Sequence, residues 1–165
     1  MRDKVFMFQA KNITKIVKMK SLEEYKALKG FAEIIEYEDL RIALLKSELD
    51  YARTTAETLK VLASAEGMSY NNRSRLGKRS KQEMANARLY EVLLDSFERA
   101  KAECMASFEK AIDRYPEDWK KGFRMRFLEG KNYKQIKEEI PNADALIRKL
   151  RMMEGKNGLP TQCEP

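Results

Sequence analysis

Trp119–Leu150 reads WKKGFRMRFLEGKNYKQIKEEIPNADALIRKL, and its apolar spacing decides how the C-terminal part of the chain folds. Phe123, Phe127 and Leu128 fall on one helical face at i, i+4 and i+5. Tyr133, Ile136 and Ile140 form a second face at i, i+3 and i+7, and after Pro141-Asn142 the pattern restarts at Leu146, Ile147 and Leu150. Such periodicity, broken at Gly130 and at Pro141-Asn142, predicts three short helices separated by two turns. The apolar residues point inward, which leaves Asp144, Ala145, Arg148, Lys149 and Arg151 on the open side of the last helix. A small three-helix core whose last helix keeps an open, basic face is the pattern of a helix-turn-helix that enters the DNA major groove.

Working outward, Tyr115-Pro116 ends whatever helix precedes this segment, because proline disfavours helical geometry in the residue before it. Pro116-Glu117-Asp118 then opens the first short helix with proline and acids in its first turn. Upstream, residues 80–114 carry Tyr90, Leu93, Phe97, Ala100, Cys104, Ser107 and Ala111 at alternating steps of three and four. Leu94, Met105, Phe108 and Ile112 widen that stripe, and Asn86 occupies the preceding seam position as a register device or a frayed start. Before it, Leu28, Ile35, Ile42, Leu49, Ala56 and Ala63 repeat every seven residues, with Phe31, Leu45, Ala52 and Leu59 between them and only Glu38 interrupting. These are two coiled-coil seams joined by a connector, and together they predict an antiparallel hairpin. Ser21 is the expected cap of the first long helix and Gly67 its stop. The wide stripe over 90–112 exceeds what one antiparallel neighbour covers, so a homodimer is expected.

Gly130-Lys-Asn-Tyr133-Lys-Gln-Ile136, followed by Ile140, Ile147-Arg148 and Leu150, resembles the sigma-factor region-four pattern, roughly G-x-S-Y-x-E-I-A-x-x-L-G-x-S-x-x-T-V. Asn132 stands for the usual capping Ser and Gln135 for the usual Glu; Lys137 takes the place of a small Ala, and Pro141-Asn142 replaces the Gly-containing turn. Ala143 falls where a capping Ser is usual, so Asn142 or Asp144 is expected to cap the last helix. A helical hairpin followed by this motif is similar to the sigma-like late-transcription regulators of phages and prophages of Gram-positive bacteria, the RinA-like and ArpU-like groups. The resemblance implies promoter DNA in the groove of the last helix, with RNA polymerase or another host protein as a further partner.

Charge distribution agrees with such a role. The 165 residues carry a net +7, concentrated as +5 over residues 1–20, +5 over 67–81 and +4 over 116–156, while the intervening helical stretches are acidic. Basic clusters of this kind suit a nucleic-acid partner. The expected organisation is all-α: a basic N-terminal arm at 1–20, a long antiparallel, coiled-coil-like hairpin for dimerisation at 21–115 with a basic loop at 68–81, a small C-terminal helix-turn-helix at 116–153, and a disordered tail at 154–165. Candidate DNA contacts are Asn142, Asp144, Ala145, Arg148, Lys149 and Arg151 on the last helix, Lys131, Lys134 and Lys137 beside it, and Arg73, Arg75, Lys78 and Arg79 in the basic loop. Asn142 is open to either a bidentate base contact or a cap, and Asp144 to either a cap or acceptance from cytosine N4. The basic loop either touches the DNA backbone or serves as a solvated connector.

Other classes are disfavoured. The chain has no histidine, which removes the commonest general base and every Ser-His or Cys-His nucleophile. Gly77-Lys78-Arg79-Ser80 superficially suggests a phosphate loop, but Asn72 occupies the place of the first Gly and Arg79 that of the Ser or Thr. Cys104 sits on a seam and Cys163 in a polar tail, so neither a disulfide framework nor a zinc site is expected. No enzyme activity, catalytic residue, cofactor, metal or small-molecule substrate is expected. No apolar run approaches the roughly 18–20 residues that span a bilayer, and no signal-peptide pattern opens the chain, so no membrane partner and a location in the cytoplasm of a bacterial host are expected. The alternative function is a phage-encoded interaction or inhibitor protein, or a DNA-packaging small subunit, that binds another protein through the hairpin.

Overall fold

The computed structural model describes the backbone of residues 2–155 and the side chains of residues 20–155. Every regular element among the described residues is an α-helix: α1 (Arg2–Ala63), α2 (Tyr70–Ile112), α3 (Glu117–Phe127), α4 (Tyr133–Glu139) and α5 (Asp144–Met153). The two long helices pack against each other, and the small helices follow. Packing divides the chain into two compact units. One takes the residues up to Glu33 and those from Ala106 onward; the other is Ile34–Met105.

Two helix boundaries differ from expectation. α1 begins at Arg2, not at Ser21, and Ser21 lies inside the helix with its small side chain buried. Residues 1–20 contain neither Gly nor Pro and are rich in Lys and Met, both good helix formers, so nothing there stops the helix. How the side chains of the basic arm are used lies outside the described residues. The expected loop at 68–81 is likewise mostly helix, because α2 starts at Tyr70. Ser69 caps it: the Asn72 N–H donates to Ser69 Oγ at 3.4 Å and the Arg73 N–H to the Ser69 carbonyl at 3.0 Å. The asparagines and serines there suggest a turn, but Arg73, Arg75, Leu76, Lys78 and Arg79 favour helix once that cap is in place. The connector is reduced to residues 64–69, with Gly67 at φ 78° as the expected stop. The expected disordered tail lies outside the described residues from position 156, as does Cys163.

In the unit Ile34–Met105, the α1 seam is the expected one: Ile35, Ile42, Leu49, Ala52, Ala56 and Leu59 are buried, as is Glu38. On α2 the expected seam residues Tyr90, Leu93, Phe97, Ala100 and Cys104 are half-buried, and Ala87 rather than Asn86 begins the buried face. Ala87 is its most buried residue, with Tyr90 and Leu94 packed around Leu49 and Ala52. Asn86 bonds to Gln82 and Glu83 on its own helix and takes no part in register. Three ion pairs cross the hairpin, Asp39 with Lys101, Lys46 with Glu98 at 3.4 Å, and Arg53 with Glu91. Partner numbers fall on α2 as they rise on α1, which is the antiparallel register. Pairs this exposed add little stability; the apolar seam supplies it. Ser80 Oγ also donates to the Ala56 carbonyl at 2.8 Å, a side-chain tie between the two helices.

The other unit holds the deepest core. Leu28 of α1 and Phe108 and Ile112 of α2 are buried together with Phe123, Met125, Ile136, Ile140, Leu146, Leu150 and Met153. The three short helices therefore share one core with the ends of the long ones, and the expected domain boundary at Pro116 does not coincide with a division in packing. Arg124 reinforces the junction, donating through Nε and Nη2 to the two Glu109 carboxylate oxygens at 2.7 and 2.6 Å. The wide stripe of 90–112 finds part of its explanation here, since Phe108 and Ile112 are consumed by this core.

Gly122 is the tightest point. A Cβ built on it would stand 2.1 Å from Leu146 Cδ2 and 3.3 Å from Ile140 Cδ1, so α3 approaches the α4–α5 side only because this residue has no side chain. Gly122→Ala is expected to lower the unfolding free energy by about 1–2 kcal/mol, overpacking outweighing a helix-propensity gain near 1 kcal/mol. Gly77→Ala, in open space on α2, should instead raise it by about 0.5–1 kcal/mol. Urea midpoints check both; a stabilised Gly122→Ala would show that Leu146 can step aside.

Candidate nucleic-acid interface

α4 and α5 are set by their turns. Gly130 at φ 66° ends the α3 turn, and Asn132 then caps α4 as expected, its Oδ1 accepting from the Gln135 N–H at 3.0 Å. The Gln135 side chain accepts from the Asn132 N–H at 2.9 Å, closing a capping box with Gln in place of Glu. Between α4 and α5, Asn142 takes φ 58°, the left-handed conformation that Asn tolerates best after Gly. It thus does the work of the missing turn glycine. The expected side-chain cap on α5 is not made: Ala143 is the N-cap and neither Asn142 nor Asp144 bonds back. Asp144 complements the helix dipole from the first turn instead.

α5 buries Leu146, Ile147, Leu150 and Met153 on one side. Asn142, Asp144, Ala145 and Arg148 are exposed on the other. Arg148 and Lys134 form no side-chain hydrogen bond or ion pair among the described residues. The other candidate cations around α4 and α5 are engaged. Lys137 Nζ stands 2.9 Å from Asp144 Oδ1, bridging the turn, and this hydrogen bond, with the positive charge behind it, holds the Asp144 carboxyl below its usual range. Lys131 pairs with Glu129 and Glu139 at 2.8 and 2.7 Å. The Arg151 guanidinium lies 5.2 Å from the centre of the Tyr133 ring, half-buried. Arg126, which no sequence signal singled out, stacks 4.9 Å from the same ring and pairs with Glu154 at 2.8 Å.

Lys149 is the clearest correction. Instead of facing outward beside Arg148, it reaches Glu24 of α1 at 3.3 Å and lies 5.9 Å from the centre of the Tyr115 ring. The i to i+1 step turns a helix by about 100°, enough to carry Lys149 from the open face to the packed one. Glu24 also accepts from Tyr115 Oη and Arg114 Nη2. Burial pushes this carboxyl up, but the hydrogen bonds from Tyr115 and Arg114 and the charge of Lys149 outweigh it, and the group ends below the ordinary glutamate range. Glu24, Tyr115 and Lys149 therefore dock α5 against α1 and the connection between α2 and α3. No spacing in the sequence ties Glu24 to position 149.

Arg73, Arg75, Lys78 and Arg79 are exposed on the first turns of α2 and form no ion pair among the described residues. They belong to the other compact unit, so they are not assembled with the α5 cations into one described site. Among the described residues no group of three or more His, Cys, Asp or Glu is placed to hold a metal ion, and no helix is long and apolar enough to cross a membrane. No family profile, curated protein or solved structure matches the chain.

The Glu24 cluster makes a pH prediction with a definite sign. A carboxyl whose folded pKa is depressed stabilises the fold above its unfolded pKa, and that contribution is lost as pH falls through the folded value. Wild type should therefore be more stable than Glu24→Gln at pH 7, and the gap should close on acidification below about 4.3, the ordinary glutamate pKa. Urea unfolding at pH 7 and pH 3 measures it; an unchanged gap at the two pH values would remove the ionised cluster from the account.

Proposed function

We propose that the chain is a sequence-specific, double-stranded-DNA-binding regulator of transcription, acting in the cytoplasm of a bacterial host, with α5 entering the major groove. The observation that carries this reading is the two-sidedness of α5: Leu146, Ile147, Leu150 and Met153 anchor one side, while Asn142, Ala145 and Arg148 stand free on the other. A rigid short helix, held by a capping box and a left-handed turn just upstream, is what a reading head needs, because base contacts demand a fixed approach. The resemblance of Gly130–Leu150 to sigma region four adds a promoter as the kind of target.

The set of contacts is narrower than charge alone suggests. Arg148 is the base-reading residue, through the bidentate fork that guanidinium makes with guanine O6 and N7. Lys134 and the Lys137–Asp144 pair lie at the flank, where lysines position the domain on phosphates without reading sequence. Lys149 and Arg151 support the helix and do not read DNA. A second reading, an interaction protein that blocks another protein, is favoured by a specific observation: α1 exposes Tyr37, Leu40, Leu44 and Tyr51.

Recovery of duplexes from a random-sequence pool by the purified protein, followed by anisotropy titration at several salt concentrations, separates the two readings. Arg148→Ala should cost about 1–3 kcal/mol of discrimination at one base pair. Lys134→Ala should weaken all duplexes alike and reduce the salt slope by about one unit. Both variants should melt as wild type does, since both side chains are exposed. Absence of any salt-dependent DNA binding by the wild-type chain would sink the proposal in favour of the blocker.

A further inference from the structure

α1 carries two heptad seams, and α2 covers only one. The buried seam repeats through Ile35, Ile42 and Leu49. Two residues further on, roughly 200° around the helix at 3.6 residues per turn, Tyr37, Leu44 and Tyr51 repeat at the same interval with Leu40 between the first two. These four side chains are 59%, 63%, 66% and 67% exposed, for Tyr37, Leu44, Tyr51 and Leu40 respectively. With Ile34 and Val61 they present on the order of 500 Å² of apolar surface, as large as the biggest patch on a typical monomer. Two such faces together bury at most about 1,000 Å², the lower bound for a specific interface and the range of reversible ones. Phe108 and Ile112 of the stripe over 90–112 are already covered within the chain, which leaves less of that face for the expected homodimer.

We propose that the outer face of α1 is a homodimer interface in which two copies of this helix pair parallel and in register. Register is decided by charge. In a parallel two-stranded coil, Glu36 of one copy flanks Arg41 of the other, five residues on, across the seam. Both residues occur at the edges of the apolar stripe, and the two-fold axis makes the contact twice. Arg41 already donates to Glu38 at 3.1 Å and lies 3.5 Å from the Phe97 ring centre. With five guanidinium N–H groups it keeps donors for a further carboxylate, and its side chain is 37% exposed. An antiparallel pairing centred on Leu44 instead sets Arg41 beside Glu48 on one edge but Glu36 beside Asp50 on the other, so a like-charge contact cancels the attractive one, whereas the parallel pairing carries no such repulsion. Parallel pairing meets Leu44 with Leu44 and Tyr51 with Tyr51 and needs no other sequence for its partner. The polar Ser47, Thr54 and Thr58 in the same register limit the strength, so the dimer is a reversible one. The proposal is independent of what α5 binds.

The test uses the full chain. Sedimentation equilibrium at tens of micromolar should give twice the 19.3 kDa monomer mass, and Leu44→Glu, an exposed position, should give the monomer mass with helicity retained. In a C104S/C163S background, Tyr37→Cys and Tyr51→Cys should each form an intermolecular disulfide with itself under mild oxidation. A disulfide formed only when the two variants are mixed would establish the antiparallel arrangement and overturn the proposal. A wild-type monomer at 100 µM, which is also the result if the face serves a foreign protein, would overturn it too. So would a dimer that survives both Leu44→Glu and Leu40→Glu. Should Leu44→Glu fail to fold, the cysteine pattern decides alone.

Discussion

Helices of 11, 7 and 10 residues do not stand alone in water, where even good helix formers need about 12–15 residues. That constraint governs the C-terminal half of this protein. α3, α4 and α5 exist because Phe123, Ile136, Leu146, Leu150 and Met153 close a core with Leu28, Phe108 and Ile112 from the long helices. The motif is not a bead on a string, and its geometry is inherited from the hairpin ends. Gly122 marks how close that inheritance is, since any side chain there meets Leu146.

The same packing explains how charge is distributed between support and recognition. A short basic helix offers few positions, and those facing the scaffold cannot also face a ligand. Lys149 and Arg151 spend their charge on Glu24 and on the Tyr115 and Tyr133 rings. Half-buried carboxylates such as Glu24 require partners of this kind, because an unpaired charge in a half-dry site is costly. Around α4 and α5, Arg148 and Lys134 are left without an ion pair among the described residues, and Lys137 is bridged to Asp144.

The long helices show the converse case. α1 has a buried seam and an exposed one of identical period, so the heptad pattern that predicted the hairpin carries a second message on the opposite side. The acids and bases that flank the two seams differ in how they are paired. Asp39, Lys46 and Arg53 pair within the hairpin, whereas Glu36, Glu48 and Asp50 have no ion-pair partner among the described residues.

What the chain's sequence determined by itself was everything that depends on local spacing. The seam through Ile35, Ile42 and Leu49, the stops at Gly67 and Pro116, the Asn132 cap and the apolar face of α5 all follow from periods of three and four and from backbone-specific residues. Helix ends without a strong stop were not legible: nothing local at Ser21 forces a start, and a run of asparagine and serine at 69–74 suits a capped helix as well as a loop. Tertiary structure alone decided the rest. It assigned Glu24 to Lys149 across 125 positions, began the buried face of α2 at Ala87 rather than Asn86, gave Asn142 a left-handed turn in place of a cap, and merged the C-terminal helices with the hairpin ends. Each of these depends on which surfaces meet, and a one-dimensional pattern holds no term for contacts between distant residues.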